Sequence, residues 1–232
     1  MITIRPGQER GHVQLAWLDS HHTFSFGSYY DPRHVHFREL RVINEDIIKA
    51  GTGFGTHGHQ DMEIITYVMS GELTHRDSIG NQAAITAGEL QRMTAGTGIQ
   101  HSEYNLSSDE AVHLLQIWIF PEQQGLEPGY EQKQFSIQER EGKWQLLASR
   151  DSREGSLLIH QDVDLLATRL SSGETINYAL LPNRFAWLQV TQGKLTINGH
   201  SVEAGDGLAV SQESELVLQA VTDTEVLLFD LA

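Results

Sequence analysis

Two short stretches hold the side chains with the clearest chemical potential. Residues 51–63 read GTGFGTHGHQDME and place His57 and His59 one residue apart. Residues 96–105 read GTGIQHSEYN and place His101 and Glu103 at the same spacing. In a β-strand, residues i and i+2 project from one face, so each pair is presented together if its stretch is extended. Three imidazole nitrogens and one carboxylate oxygen converging inside a small barrel would hold a divalent cation, at ~2.0–2.2 Å judging from zinc. Such a set leaves coordination positions for water or substrate, and it suits Fe(II), Mn, Co, Ni, Cu or Zn. The plainer reading is four polar residues in loops. A second pair following its own Gly-Thr-Gly turn is what favours the metal. Glu63 shares the strand parity of His59 and is a rival for the carboxylate position.

Composition narrows the chemistry. The chain has 232 residues, 39% hydrophobic and 20% charged, which is ordinary for a globular protein with one large or two small cores. Its formal net charge of −15 argues against non-specific binding to nucleic acid or to an anionic membrane surface. With no cysteine, thiolate zinc sites, iron–sulfur clusters and disulfides are excluded, so a transition-metal site must be built from imidazole and carboxylate. The first residues, MITIRPGQERGH, lack the apolar core of a signal peptide, and no apolar run approaches ~20 residues. A cytoplasmic protein without membrane attachment is the expectation.

The elements that must position these pairs read as short strands. After a β-like start at residues 1–5 comes a polar-aromatic segment, WLDSHHTFSFGSYYDP, and a strand opening LRVINED that ends in a mixed turn. His34 and His36 repeat the i, i+2 spacing but follow a proline turn, and they read as loop residues. Strands are expected over 64–69, 72–77, 82–87, 90–94, 99–104 and 113–120, separated by glycine turns, a spacing that indicates a β-barrel or sandwich. His113 on the last of these reads as a satisfied core histidine. Residues 121–150 are polar, with prolines and glycines, and read as a connector around the outside of a domain.

From about residue 155 strands resume, and the chain repeats itself. WLQVTQGKLTINGHSVEAGDG resembles TYVMSGELTHRDSIGNQAAITAGEL, with Gly193 answering Gly71 at an offset of 122. At that offset His57 and His59 become Ala179 and Leu181, and no histidine follows His200. The expectation is two copies of one barrel: a metal-binding domain over 1–135 and a degenerate domain without a metal site over 136–232.

The stretch GTGFGTHGHQDMEIITYVMSGELTHRDSIGN followed by AGTGIQHSEYN resembles the first domain of the pirins, in the cupin superfamily, and is most similar to the bacterial pirin-like quercetin 2,3-dioxygenases. The resemblance extends through WLDSHHTFSFGSYYDP and LRVINED to the closing EVLLFDL, nearly the whole chain. The first cupin motif is met by Gly51, His57, His59, Glu63 and Gly71, with one extra residue before the last glycine. The second survives as Gly98, His101 and Asn105, with Gly96 where proline is usual and a longer spacing from Gly88.

The resemblance implies an all-β bicupin, two double-stranded β-helix barrels in one chain. It also implies that the fourth ligand comes from the second motif, which selects Glu103 over Glu63. The implied activity is opening of the quercetin flavonol ring with O2 to a depside and CO. One divalent cation, Fe2+ foremost, would bind the 3-hydroxyl and neighbouring carbonyl, with Glu103 as ligand and base. Phe54 and apolar strand residues would stack on the flat polyphenol, although ordinary core is the simpler role for them.

Some pirins resemble metal-dependent regulators of transcription factors or enzymes. Without a basic patch such a role would need a protein partner. A cupin isomerase or binding protein for another enol shares the same barrel, because fold does not set function. The sequence leaves the oligomeric state open, with a monomer favoured.

Overall fold

The computed structural model describes all 232 residues, in twenty-two β-strands and three single-turn 3-10 helices. No helix is long and apolar enough to cross a membrane. The chain is an all-β bicupin. Its contacts divide it into one unit of Gly11–Phe135 with Ile159–Gln161, and another of Met1–Arg10, Ser136–Leu158 and Asp162–Ala232. The first ten residues, grouped by sequence with the first barrel, thus belong to the second: Ile2–Arg5 pairs antiparallel with Gly207–Val210. That pairing is non-local, and strand character alone does not reveal it.

The first unit has a seven-stranded and a four-stranded antiparallel sheet. The larger runs in the order Gly129–Gln134, Glu89–Thr94, Glu63–Ser70, Val112–Ile119, Leu40–Ile48, Leu18–His22 and Gly11–Gln14. The smaller runs Gly53–His59, Ile99–Tyr104, Glu72–Asp77 and Gln82–Thr86. Leu73 and Ile85 of the small sheet pack with Leu18, Ile48, Val68, Val112 and Leu114 of the large one in a single buried cluster. Burial of these aliphatic faces holds the sheets together, at roughly 25 cal/mol per Å² of apolar surface.

The second unit repeats the plan. A seven-stranded sheet centred on Phe185–Gln192 and Thr224–Leu231 accompanies a four-stranded sheet ordered Thr175–Ala179, Glu215–Ala220, Lys194–Ile197, His200–Glu203. Gly71 and Gly193 occupy equivalent tight turns, with φ of 78° and 80°. A Cβ at either would meet a backbone carbonyl within 2.7 Å, so both turns demand glycine. Ala179 closes its strand, and Leu181 lies just beyond it, exposed.

One sequence expectation changes. Residues 121–150 are not simply a connector, because Gly129–Gln134 pairs with Glu89–Thr94 and Gln145–Ser149 pairs with Val163–Leu170. The first of these, GYEQKQ, is a half-exposed edge strand. It therefore lacks the apolar alternation by which strands are recognised. Leu40–Ile48 runs as one strand before the expected turn at Ala50 and Gly51, and Leu40, Val42, Asn44, Asp46 and Ile48 are all buried.

Candidate metal centre

The His57 and His101 strands pair antiparallel with His101 opposite His57 and Ile99 opposite His59. Glu103 then lies opposite Phe54, so the His57 strand carries one residue more than its partner between these pairs. This bulge resets the alternation and lets Phe54 and His57, three apart, line the same cavity. It also brings the Gly55 carbonyl to 2.8 Å from His57 Nδ1. A carbonyl only accepts, so Nδ1 carries the proton and the Nε2 lone pair is left for the cluster. Gly96, where the cupin motif usually has proline, has φ of 47°, which a proline ring cannot adopt.

The structure brings His57, His59 and His101 together, with ligand nitrogens within 4.8 Å of one another. Their ring centroids are 4.4–4.8 Å apart. Burial, and then the neighbouring His57, lower the His59 pKa to about 4. Burial, His57, His59 and His75 lower His101 to about 3. Both rings are therefore neutral near pH 7 and offer lone pairs. His101 is 2% exposed, yet neither of its ring nitrogens has a hydrogen-bond partner. A buried polar atom left unpaired is costly, and a cation held by the three imidazoles would satisfy one of them. On this observation the residues fit a metal ion.

Glu103 shares the buried face of its strand with Ile99 and His101. Its carboxylate groups with His101 and His75 rather than with all three clustered histidines, and it accepts a 2.6 Å hydrogen bond from Gln116 Nε2, with Thr66 Oγ1 at 3.5 Å. Complete burial raises its pKa to about 7; the Gln116 hydrogen bond opposes this and Asp46 adds to it. The histidines and Glu103 line a cavity of about 430 Å³ whose walls include Trp17, Phe26, Phe54, Ile64 and Trp118. Trp17 meets Phe54 edge-on at 5.1 Å, Trp118 meets His59 at 4.8 Å, and Phe26 meets Trp118 at 5.3 Å. Phe54 thus faces the cavity while also packing against the aliphatic cluster.

Residues 4–119 match the family described as Pirin, and residues 146–231 match the Quercetinase C-terminal cupin domain. The chain is 52% identical to the quercetin 2,3-dioxygenase of Escherichia coli strain K12, over 100% of this chain and 99% of that protein. The crystal structure of YhhW from E. coli superposes with a TM-score of 0.97 at 51% identity, covering 100% of this chain and 98% of that one. A crystal structure of the bacterial pirin YhhW in complex with nickel(II) gives 0.95 at 52% identity, covering 100% and 99%.

The chain belongs to the pirin family.

In this pirin the rival carboxylate, Glu63, is fully buried and turned to a different partner. His160 Nδ1 lies 3.3 Å from its Oε1 and the His160 backbone N–H 3.4 Å from its Oε2. Glu63 falls in no metal-spaced group. His34 and His36 also stand outside such groups, and His36 Nδ1 bonds the Arg38 carbonyl at 2.9 Å. His113 is half-buried rather than in the core, paired with Glu45 on the adjacent strand at 2.9 Å.

Several site residues were not read from the sequence. His75, fully buried beside His101, holds Asp77 at 3.1 Å and lies 4.9 Å from the Tyr130 ring, tilted by 32°. Asn44, Asp46, Gln116 and Thr66 share strand faces with Leu40, Val42, Leu114 and Val68, all buried. A polar residue interrupting an apolar period-2 face is the signal that would have found them.

Proposed function

We propose that this pirin is a metal-dependent quercetin 2,3-dioxygenase, opening the flavonol ring with O2 to give a depside and CO. The observation that carries the proposal is the convergence of three imidazoles, with both His101 nitrogens unpaired, at the wall of an aromatic-lined cavity beside a buried carboxylate. The names of the E. coli relatives support the same reading.

His57, His59, His101 and Glu103 would hold one divalent cation. Fe2+ is the first candidate, and the nickel(II) bound by YhhW keeps Ni in the set with Mn, Co, Cu and Zn. When bound, the ion supplies Lewis acidity that favours the anionic form of the flavonol 3-hydroxyl.

The rest is done by the chain. Glu103, a carboxylate buried beside the imidazole cluster, is placed to take the 3-hydroxyl proton as a base. Gln116 fixes the carboxylate from which that transfer is made. Trp17, Phe54, Phe26 and Trp118 offer faces and edges to a flat ring system and keep water from the reacting end. The substrates are then a flavonol or related polyphenol and O2.

The test is carbon monoxide release from quercetin by metal-loaded protein, with depside followed by mass. Wild type should release CO and His57→Ala should lose the activity. Identical behaviour of the two proteins would end the dioxygenase reading.

A further inference from the structure

Three buried oxygens in the same cavity lack any hydrogen-bond partner: Asn44 Oδ1, Asp46 Oδ1 and Gln116 Oε1. The three residues are 4%, 3% and 7% exposed. They are also adjacent. Asn44 and Asp46 are i, i+2 on one strand, and Gln116 is the cross-strand partner of Asn44 on the next. Together they make one polar patch on the inner face of the large sheet, otherwise bounded by Trp17, Phe26, Phe54, Ile64 and Trp118.

The orientation of Gln116 is set by its own contacts. Its Nε2 donates to Glu103 at 2.6 Å and to Thr66 at 3.2 Å, which turns the carbonyl oxygen away from those partners. Asp46 also hydrogen-bonds Ser20, which in turn contacts His22 Nε2 at 2.9 Å, so the strand behind the patch braces it.

Two of the three oxygens are amide carbonyls, which only accept, and the third belongs to a carboxyl group. Leaving such atoms unpaired in a buried site is expensive, so the surface calls for a ligand that brings donors. Aromatic walls call for flat apolar rings. Hydroxyl groups on an aromatic ring meet both demands, and a cavity of about 430 Å³ is of the size that takes a small multi-ring molecule.

We propose that Asn44, Asp46 and Gln116 form a hydroxyl-binding floor that receives the ring hydroxyls of a polyhydroxylated aromatic ligand, in the same cavity as the imidazole cluster but on different side chains. The inference rests on the proposed function in one respect, that the enol end of the ligand faces His57, His59 and His101. The floor selects among ligands sharing that end by the hydroxyls on their other rings.

The test compares two probes with the same 3-hydroxy-4-keto end: quercetin, and 3-hydroxyflavone, which has no other hydroxyl. Dissociation constants are measured by fluorescence quenching on metal-loaded protein without oxygen, so that binding is read apart from turnover. Wild type should prefer quercetin by about tenfold or more, the scale of one or two buried hydrogen bonds. In Asn44→Leu and in Asp46→Leu that preference should shrink to about twofold for at least one variant. The affinity for 3-hydroxyflavone should stay within about threefold, a pattern that general damage to the cavity does not produce.

Equal affinities in wild type, or a preference that survives both substitutions, overturn the proposal. Asp46→Leu also strips Ser20 of a partner; Asn44→Leu is the milder change, and if neither leucine variant folds the smaller Asn44→Ala is scored by the same criterion. Carbon monoxide release is scored separately. A wild type that discriminates the probes yet releases no CO keeps the floor and loses the dioxygenase, and the reverse pattern loses only the floor.

Discussion

His57 and His101 face each other across two paired strands, their ring centroids 4.4 Å apart and their planes inclined by 51°. Both His101 nitrogens are without hydrogen-bond partners. The first prediction follows from that arrangement. Protein purified without added ions should carry close to one divalent cation per chain by elemental analysis. His57→Ala and His101→Ala should each lower metal affinity in calorimetry by at least the 10–100-fold that loss of a mere supporting partner costs. Full occupancy in both variants would remove this cluster from consideration.

Gln116 joins the two sheets by bonding Glu103 on one and Thr66 on the other. Gln116→Leu removes the nearest donor from a fully buried carboxylate. Chemical denaturation of the metal-free protein should show a loss of about 1–3 kcal/mol. Metal affinity should fall about tenfold, because the carboxylate is no longer oriented.

Acid stability separates Glu103 from the histidines. The folded-state pKa of Glu103 is raised from 4.5 to about 7, so the native state binds more protons than the unfolded chain between those values. This contribution to stability is present at low pH and is lost as pH rises through that window. His59 and His101, lowered from 6.5 to about 4 and about 3, act in the opposite sense and lose stability on acidification below pH 6.5. In metal-free wild type the Glu103 contribution thus offsets part of the loss from the histidines. Metal-free Glu103→Gln should lose stability more steeply on going from pH 6.5 to 4.5, by an extra ~1.4 kcal/mol per pH unit. Parallel profiles for the two proteins would show that Glu103 does not titrate as described.

Glu63 and His160 give a control. Glu63→Gln weakens a buried pairing and should destabilise the fold by about 1–3 kcal/mol in denaturant. Its metal content should equal that of wild type. A loss of metal comparable to that of His57→Ala would return Glu63 to the ligand set.

Much of the architecture is legible in the residues because it is local. The apolar runs of residues 64–69 and 113–120, glycines at the turns, and the Gly71/Gly193 correspondence reflect strand preference and backbone conformation, which short stretches dictate. The histidine pairs are legible for the same reason: i, i+2 spacing puts both rings of a pair on one face wherever the strand ends up. Gly129–Gln134 is not legible in the same way because an edge strand with polar residues carries no apolar alternation.

What only the tertiary structure decided depends on pairing between distant strands. The bulge that turns Phe54 and His57 into one cavity exists only relative to the register of the His101 strand. Glu63 and Glu103 have equivalent sequence credentials, yet one meets His160 and the other Gln116 and His101, because each packs against a segment remote in the chain. Asn44, Asp46 and Gln116 look like ordinary polar strand residues until burial leaves their oxygens unpaired in a shared cavity. Strand parity follows from the local chain, but register, burial and hydrogen-bond satisfaction are properties of the assembled sheets. The sequence alone therefore determined which side chains could ligate a cation, and the fold determined which of them meet.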